Sequence, residues 1–271
     1  MSTLRLQPVH TRRVLRCAAA LVLCLYVGYH YAGSNPPPQR PNSRQAVASA
    51  ASFEPSPSLL RRGNTGRREV ALTIDDGPHE QWTPQMLKVL RNDHVHATFF
   101  VVGRKVRAHP DLAREILAGG NELGNHSMTH RRFDTLTVKE VRKELQLCAR
   151  AVFDATGATM RLMRPPGLRY TEGILRVARS MHYITVEENI AVGDYIVPGD
   201  RSWYRGSRLY ARHVAAVKHN VFKQLSSGAI IVIHDMPVTA DALDSILKGI
   251  AKRGYKVVTV SEMLTHLKPS T

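Results

Sequence analysis

Cysteine is scarce in this chain of 271 residues, and aromatic side chains are few. Two of the three cysteines, Cys17 and Cys24, lie in an N-terminal apolar stretch, so the rest of the chain keeps only Cys148 and cannot form an internal disulfide. No Cys-x-x-Cys pair or Cys–His cluster is present, which argues against a structural zinc finger. Aromatic residues make up 6% of the chain and no nucleic-acid-binding motif is found, so a nucleic-acid binder is the least favoured class.

The N-terminus also lacks an apolar run of the roughly 20 residues that comfortably cross a bilayer. Three arginines within residues 12–16 precede a shorter apolar run over residues 17–28, which is typical of a secretory signal or signal anchor. We predict such a segment over residues 1–34. Because basic residues stay on the cytoplasmic side, we expect a membrane-anchored or secreted protein whose body lies in the periplasm or at the cell surface. The Pro-, Ser- and Ala-rich residues 35–66 cannot bury enough apolar surface to fold and predict a disordered linker.

Positive charge, by contrast, is abundant. The chain has 38 Lys and Arg against 22 Asp and Glu, a formal net charge of +16. The first 66 residues hold eight of these basic residues and one acidic residue, so both the N-terminal segment and the body are basic. Such a charge favours anionic partners, such as lipid headgroups or acidic glycans, or serves solubility alone. Hydrophobic residues reach 43%, enough to bury the core of one sizeable domain.

Strand-like and helix-like periods alternate in the body, residues 67–271. Short β-rich runs predict strands at residues 70–74, 97–102, 162–164, 183–186, 229–233 and 255–260. Longer amphipathic stretches predict helices at residues 84–90, 110–118, 138–155, 172–181, 209–225 and 242–252. This alternation predicts an α/β fold with a parallel sheet and helices packed outside it. A small barrel of seven or eight units is one arrangement, and an open doubly wound sheet is the alternative.

Polar residues follow several of the predicted strands, where chemistry gathers in parallel α/β folds. Asp75 and Asp76 end the first strand, and adjacent carboxylates there are costly unless they are paired or bind a cation. An isolated Asp-Asp-Gly is more often a turn or cap. Arg164 and His234 follow two further strands. The two prolines and the glycine after Arg164 predict a rigid loop that fixes its guanidinium.

His126 and His130 are spaced as i and i+4, so on a helix they would face one way and could clasp one metal ion. Two histidines and one carboxylate form a site that leaves positions open for water and substrate. The chain has 13 histidines, however, and chance pairs at this spacing are expected. The pair alone is therefore a modest signal.

Five segments taken in order are more specific than any one of them. They resemble the motifs of the polysaccharide deacetylases, the NodB homology domain of carbohydrate esterase family four: residues 73–78 (TIDDGP), 126–130 (HSMTH), 164–167 (RPPG), 193–195 (GDY) and 231–235 (IVIHD). The resemblance implies a distorted (β/α)7 barrel and a catalytic domain over residues 67–271. It also implies a divalent metal, zinc in most members, with Co2+, Ni2+ or Mn2+ as alternatives. Three side chains would hold this metal: Asp76, His126 and His130.

The resemblance implies acid–base roles for four further residues. Asp75 would be the general base that takes a proton from metal-activated water, and His234 the general acid that protonates the leaving amine. Arg164 would orient Asp75, and Asp194 would tune His234.

Two residues are expected to contact the substrate. The backbone N–H of Gly167 would help to bind the oxyanion, and Tyr195 stands where the family often has Trp. The chain departs from the family pattern at Arg131, where Pro is common, and at Leu168, near which an aromatic is frequent. These departures concern the walls of the sugar pocket and leave the expected metal ligands and catalytic groups intact.

The expected activity is metal-dependent removal of N-acetyl groups from an N-acetylglucosamine-containing polysaccharide: peptidoglycan, a chitin-like polymer or an exopolysaccharide. Two alternatives keep the same site and change the substrate, namely an O-acetyl-xylan esterase and a deformylase of a lipid-linked sugar. A non-catalytic glycan-binding module is the alternative from another class. The expected partners are the acetylated glycan and, through the N-terminal segment, a membrane, whereas the sequence indicates no nucleic acid and no protein partner.

Overall fold

The computed structural model describes residues 58–195 and 205–267, which form nine strands and eight α-helices. The strands are β1 Leu59–Leu60, β2 Glu69–Gly77, β3 Thr98–Val101, β4 Glu122–Asn125, β5 Leu162–Met163, β6 Ile184–Val186, β7 Ile190–Ala191, β8 Ala229–His234 and β9 Lys256–Val258. The helices are α1 Trp82–Asn92, α2 Gly103–Ala108, α3 Pro110–Ala118, α4 Val138–Thr156, α5 Glu172–Ser180, α6 Arg208–Gln224, α7 Pro237–Lys252 and α8 Val260–Thr265. Two 3-10 turns occupy Phe133–Thr135 and Pro166–Leu168.

The strands form one parallel sheet in the order β1-β6-β5-β4-β3-β2-β8-β7, and β9 pairs with the first residues of β2. The sheet curls until its edges approach each other. Asn189, just before β7, bridges them: its Oδ1 accepts from the Ile230 N–H of β8 at 2.8 Å, and its Nδ2 donates to the Arg61 carbonyl after β1 at 2.9 Å. The predicted α/β barrel is confirmed, and the open doubly wound alternative is not the fold.

Side chains of β2 alternate between two apolar layers. Val70, Leu72 and Ile74 pack in the cluster that includes the helices, whereas Ala71 packs with residues of β1, β3, β6 and β8 inside the barrel. Both faces are buried, which explains the nearly continuous apolar run that predicted this strand. Because successive strand residues point to opposite faces, Asp75 shares the interior face with Ala71.

The same alternation places His234 inside the barrel. On β8, Ile231 and Ile233 pack outward, whereas Ile230 belongs to the interior cluster. His234, four residues after Ile230, therefore lies on the interior face. The register between β8 and β2 pairs His234 directly with Asp75, so the two side chains leave adjacent strands at the same level.

Three strands were absent from the sequence prediction, and two boundaries change. Strand β4 reads Glu-Leu-Gly-Asn and lacks the β-branched residues that signal a strand, and β1 and β7 have two residues each. Helix α7 begins at Pro237, five residues before the predicted start at residue 242. The predicted linker extends too far, because Leu59 and Leu60 pair with β6 and Leu60 is buried in the interior.

The predicted N-terminal signal segment and most of the predicted linker lie outside the described residues. Among residues 58–195 and 205–267, no helix has the length and hydrophobicity needed to cross a membrane.

Candidate active site

Three potential metal ligands converge at the carboxyl ends of β2 and β4. One ligand atom from each of Asp76, His126 and His130 lies within 4.8 Å of the others. Asp76 Oδ1 is 3.4 Å from His126 Nε2 and 3.0 Å from His130 Nε2. The same oxygen is buried and has no hydrogen-bond partner among the residues that the structure describes. A carboxylate oxygen and two imidazole nitrogens are the donor set that a divalent transition metal prefers, so the residues fit such an ion.

A hydrogen bond fixes the orientation of His126. Its Nδ1 lies 2.8 Å from the Arg164 carbonyl, which can only accept, so Nδ1 carries the proton. The lone pair of Nε2 then faces Asp76. Metal-binding histidines are commonly oriented in this way by a hydrogen bond at the other ring nitrogen.

The two histidines lie on a loop rather than on a helix. Strand β4 ends at Asn125, and Ser127 and His130 have positive φ angles of 69° and 62°. The Ser127 hydroxyl accepts from the His130 N–H at 2.8 Å and closes the turn. The i, i+4 spacing therefore brings the rings together through a tight loop, with their centroids 4.9 Å apart.

The electrostatics of Asp76 favour its ionised form. Burial alone would raise the pKa of Asp76, but the neighbouring imidazoles of His126 and His130 outweigh it and hold this pKa well below its usual range. The Lys105 ammonium donates to the Asp76 carbonyl at 2.6 Å and supports the residue in its unusual conformation, with φ of 70°. Asp76 is thus an anion ready to bind a cation.

Asp75 is held by a buried arginine. The side chain of Arg164 is 1% exposed, and its Nη1 donates to Asp75 Oδ1 and to Thr73 Oγ1, each at 2.7 Å. Its Nε donates to the Val186 carbonyl, and the guanidinium lies over the Phe100 ring at 4.3 Å. One oxygen of Asp75 is therefore fixed, and the other, Oδ2, faces the metal-ligand cluster 3.8 Å from His126 Nε2.

His234 is paired with Asp194, as the sequence motif suggested. Asp194 is 1% exposed, and its Oδ1 lies 2.8 Å from His234 Nδ1. Its Oδ2 accepts from the His234 N–H and the Thr239 hydroxyl, each at 2.7 Å. Burial lowers the pKa of His234, but the hydrogen bond and charge of Asp194 outweigh this and raise it to about 9. The imidazole is therefore an acid that keeps its proton at neutral pH.

These groups open into one cleft of about 460 Å3. Its walls include Gly167, in a left-handed conformation with φ of 61°, and Tyr195, whose side chain is 58% exposed. The nine residues predicted from the sequence thus lie in the cleft or, in the case of Arg164, directly behind it: Asp75, Asp76, His126, His130, Arg164, Gly167, Asp194, Tyr195 and His234.

Sequence reasoning missed several supporting residues. Thr73 lies two residues before Asp75 on β2 and therefore on the same interior face, so the alternation of the strand could have predicted it. Thr239 lies 45 residues from its partner Asp194 and Lys105 lies 29 residues from Asp76, and no local pattern marks either contact. Asp235, beside His234, accepts from the Thr83 hydroxyl behind the cleft, and a Cβ on Gly77 would come 2.7 Å from its Oδ2. That close approach explains the glycine.

The chain is similar to known deacetylases. A family model described as polysaccharide deacetylase matches residues 62–186. The chain is 32% identical over 219 residues to a peptidoglycan-N-acetylglucosamine deacetylase of Bacillus cereus, in an alignment covering 79% of this chain and 96% of that protein. It is 35% identical over 198 residues to the peptidoglycan-N-acetylmuramic acid deacetylase PdaC of Bacillus subtilis, covering 73% of this chain and 39% of that protein.

A solved structure gives a further comparison. A carbohydrate esterase family four pseudoenzyme from Bacillus anthracis has a TM-score of 0.69 at 28% identity, with 79% of this chain and 71% of that chain covered. Similarity of fold therefore does not by itself indicate catalysis. Whether the site is complete depends on the residues of this chain.

Proposed function

The chain belongs to the polysaccharide deacetylase family and is a hydrolase of that family, and we propose that it removes N-acetyl groups from the N-acetylglucosamine of peptidoglycan in a metal-dependent reaction. The observation that supports this most strongly is one juxtaposition. Asp75 and His234 are paired in register on adjacent strands, next to the cluster of Asp76, His126 and His130. A base, an acid and a set of metal ligands thus share one cleft.

The three-residue cluster would hold the metal. When bound there, a divalent ion supplies positive charge that polarises the acetamide carbonyl and makes water more acidic. Asp75 is placed to take a proton from the attacking water, because Arg164 holds one of its oxygens and leaves the other facing the cluster. The Gly167 backbone N–H is the candidate donor to the developing oxyanion.

His234 would deliver the proton that the leaving amine needs. Asp194 accepts from Nδ1, which leaves Nε2 for the cleft, and its charge keeps the ring protonated. Collapse of the tetrahedral intermediate then breaks the carbon–nitrogen bond and yields acetate and a free amino sugar. Thr239 and the His234 N–H hold Asp194 in place, so the acid is oriented before substrate binds.

The pseudoenzyme comparison makes a non-catalytic glycan-binding module the relevant alternative. The completeness of the base, acid and ligand set in this chain argues for catalysis, since a binding module needs neither a fixed carboxylate beside a metal cluster nor a histidine kept protonated by a buried aspartate.

The location of the reaction is also part of the proposal. The arginines and apolar run at the N-terminus support export of the catalytic domain, either anchored at the membrane or secreted, where it meets the cell wall. The basic body suits an anionic wall.

Product analysis on the full chain tests the proposal. We would measure acetate and formate released from peptidoglycan, chitooligosaccharides and acetylated xylan. The full chain is used because residues 58–66 include β1, which pairs with β6. We expect acetate from peptidoglycan at the highest rate. Acetate from xylan alone would favour the esterase alternative. Release of neither product from any polymer, by protein that binds glycan, would favour a binding module.

A further inference from the structure

One carboxyl group in the cleft has no role in the proposed reaction. Glu188 lies on the short connection between β6 and β7 and lines the cleft with Asp75 and His234. Its Oε2 is buried and has no hydrogen-bond partner within residues 58–195 and 205–267. A buried polar atom of this kind is costly unless something binds it, so its place in the cleft wall points to a ligand.

The neighbouring glutamate shows the contrast. Glu187 is next in the chain, and its Oε2 accepts from Arg61 Nε at 2.9 Å on the outside of the barrel. Among the described residues, Glu187 Oε2 thus has a hydrogen-bond donor, whereas Glu188 Oε2 has none.

The backbone that carries Glu188 is anchored on both sides. The Glu187 N–H donates to the Leu60 carbonyl at 2.9 Å, and the Asn189 side chain joins the Ile230 N–H to the Arg61 carbonyl. The position of Glu188 is therefore set before substrate binds, as a specificity contact requires.

Glu188 is also not needed to neutralise the nearby positive charge. Arg164, the nearby cation, already pairs with Asp75 at 2.7 Å, and no hydrogen bond or ion pair joins it to the Glu188 side chain in the part of the chain that the structure describes. Burial raises the pKa of Glu188, and the nearby charge of Arg164 opposes the rise.

We propose that Glu188 is a specificity-determining residue that hydrogen-bonds a hydroxyl group of the acetamido sugar and disfavours a sugar carrying a carboxylate at that place. This inference rests on the proposed function and extends it to substrate choice. N-acetylmuramic acid carries a lactyl carboxylate where N-acetylglucosamine has a hydroxyl. A carboxylate in the wall can accept a hydrogen bond from a hydroxyl but repels a second carboxylate. The chain is thus expected to prefer the neutral sugar.

The test compares Glu188→Ala, Glu188→Gln and the matched control Glu187→Gln. For each variant, kcat and KM for acetate release would be measured on an N-acetylglucosamine oligosaccharide and on one of equal length containing N-acetylmuramic acid. Loss of one hydrogen bond corresponds to about a tenfold rise in KM. We expect Glu188→Ala to show this rise on the neutral sugar with kcat within about twofold. Glu188→Gln should keep KM on the neutral sugar and improve the acidic substrate, and Glu187→Gln should change neither.

Two results would overturn the inference. One is an unchanged KM and an unchanged preference between the two substrates in Glu188→Ala. The other is a fall in kcat at constant KM, which would indicate a role in the chemical step or in the fold.

A binding experiment separates this inference from the proposed function. Calorimetry with the neutral oligosaccharide on Asp75→Asn and on Asp75→Asn/Glu188→Ala needs no turnover. Weaker binding in the double variant, together with no acetate from the unmodified chain, would retain the Glu188 contact and reject deacetylation. Acetate release with equal binding in both variants would reject the Glu188 contact alone, and the absence of both acetate release and Glu188-dependent binding would reject both.

Discussion

The two ends of β2 both bury carboxylates, yet they differ in chemical character. At its first residue, Glu69 is 2% exposed, and its oxygens lie 3.0 and 3.1 Å from His266 Nδ1 and 3.1 Å from Arg67 Nε. At the other end, one oxygen of Asp76 faces two imidazoles beside an open cleft and has no hydrogen-bond partner in residues 58–195 and 205–267. A buried charge alone therefore does not identify a catalytic site.

The surroundings of the two ends explain the difference. Helix α8 covers the amino end of the barrel, where Val260 and Met263 join the interior cluster and the Asn64 side chain donates to the His266 carbonyl. Among residues 58–195 and 205–267, the carboxyl end instead opens into the cleft. Internally satisfied carboxylates stabilise the fold, and carboxylates left facing a cleft remain available for a ligand.

The largest expected effect comes from Asp76→Ala, which removes the carboxylate ligand at the cleft end. We expect bound metal and acetate release both to fall to background, because two imidazoles alone form an incomplete site. Metal content by mass spectrometry and acetate release are the measurements. Full metal occupancy in this variant would remove Asp76 from the ligand set.

Asp75→Asn separates the base from the metal site. The variant keeps the shape of the side chain and loses the proposed proton acceptor, so kcat should fall about 10²–10⁴-fold while metal stays bound. Turnover at the rate of the unmodified chain would show that Asp75 is not the base.

Asp194→Asn should change the pH profile. In the proposed mechanism His234 is the general acid and acts when protonated, so activity is lost as pH rises through its pKa, which Asp194 raises to about 9. Without that carboxylate the pKa of His234 falls, and the descending alkaline limb of kcat/KM should move to lower pH. Above the pKa the active fraction declines about tenfold per pH unit. An alkaline limb at the same pH in both proteins would contradict the pairing.

Glu69→Gln tests the amino end and should have the smallest effect on catalysis. The substitution removes the buried negative charge that contacts His266 and Arg67. We therefore expect the free energy of unfolding to fall by about 1–3 kcal/mol in urea titrations. Because Glu69 is at the other end of the strand, kcat of the folded protein and its metal content should not change. Loss of metal in this variant would mean that the two ends are coupled.

Much of the cleft could be anticipated from sequence because it follows strand ends. Asp75, Asp76 and His234 each follow a buried apolar run, and parallel strands bring such ends together. The conformation of the histidine loop could not be predicted, because the i, i+4 spacing fits a helix as well as a turn closed by Ser127. Strand β4 was missed because Leu123 is its only large apolar residue.

Contacts between distant segments lay beyond sequence reasoning. The sequence motif predicts a role for Asp194, but its bond to Thr239 depends on where α7 begins, and the amphipathic pattern predicts that start five residues too late. Glu188 and Glu187 look alike in sequence, and only the fold shows that one faces the cleft and the other faces Arg61.

We propose that the carboxyl end of the barrel is a metal-dependent deacetylase site. The most direct measurement determines bound metal and acetate release from peptidoglycan on the same preparation of the full chain, before chelation, after chelation and after metal is restored. We predict that both are lost on chelation and that both return with a divalent ion. Undiminished acetate release from metal-free protein would contradict the proposed metal dependence.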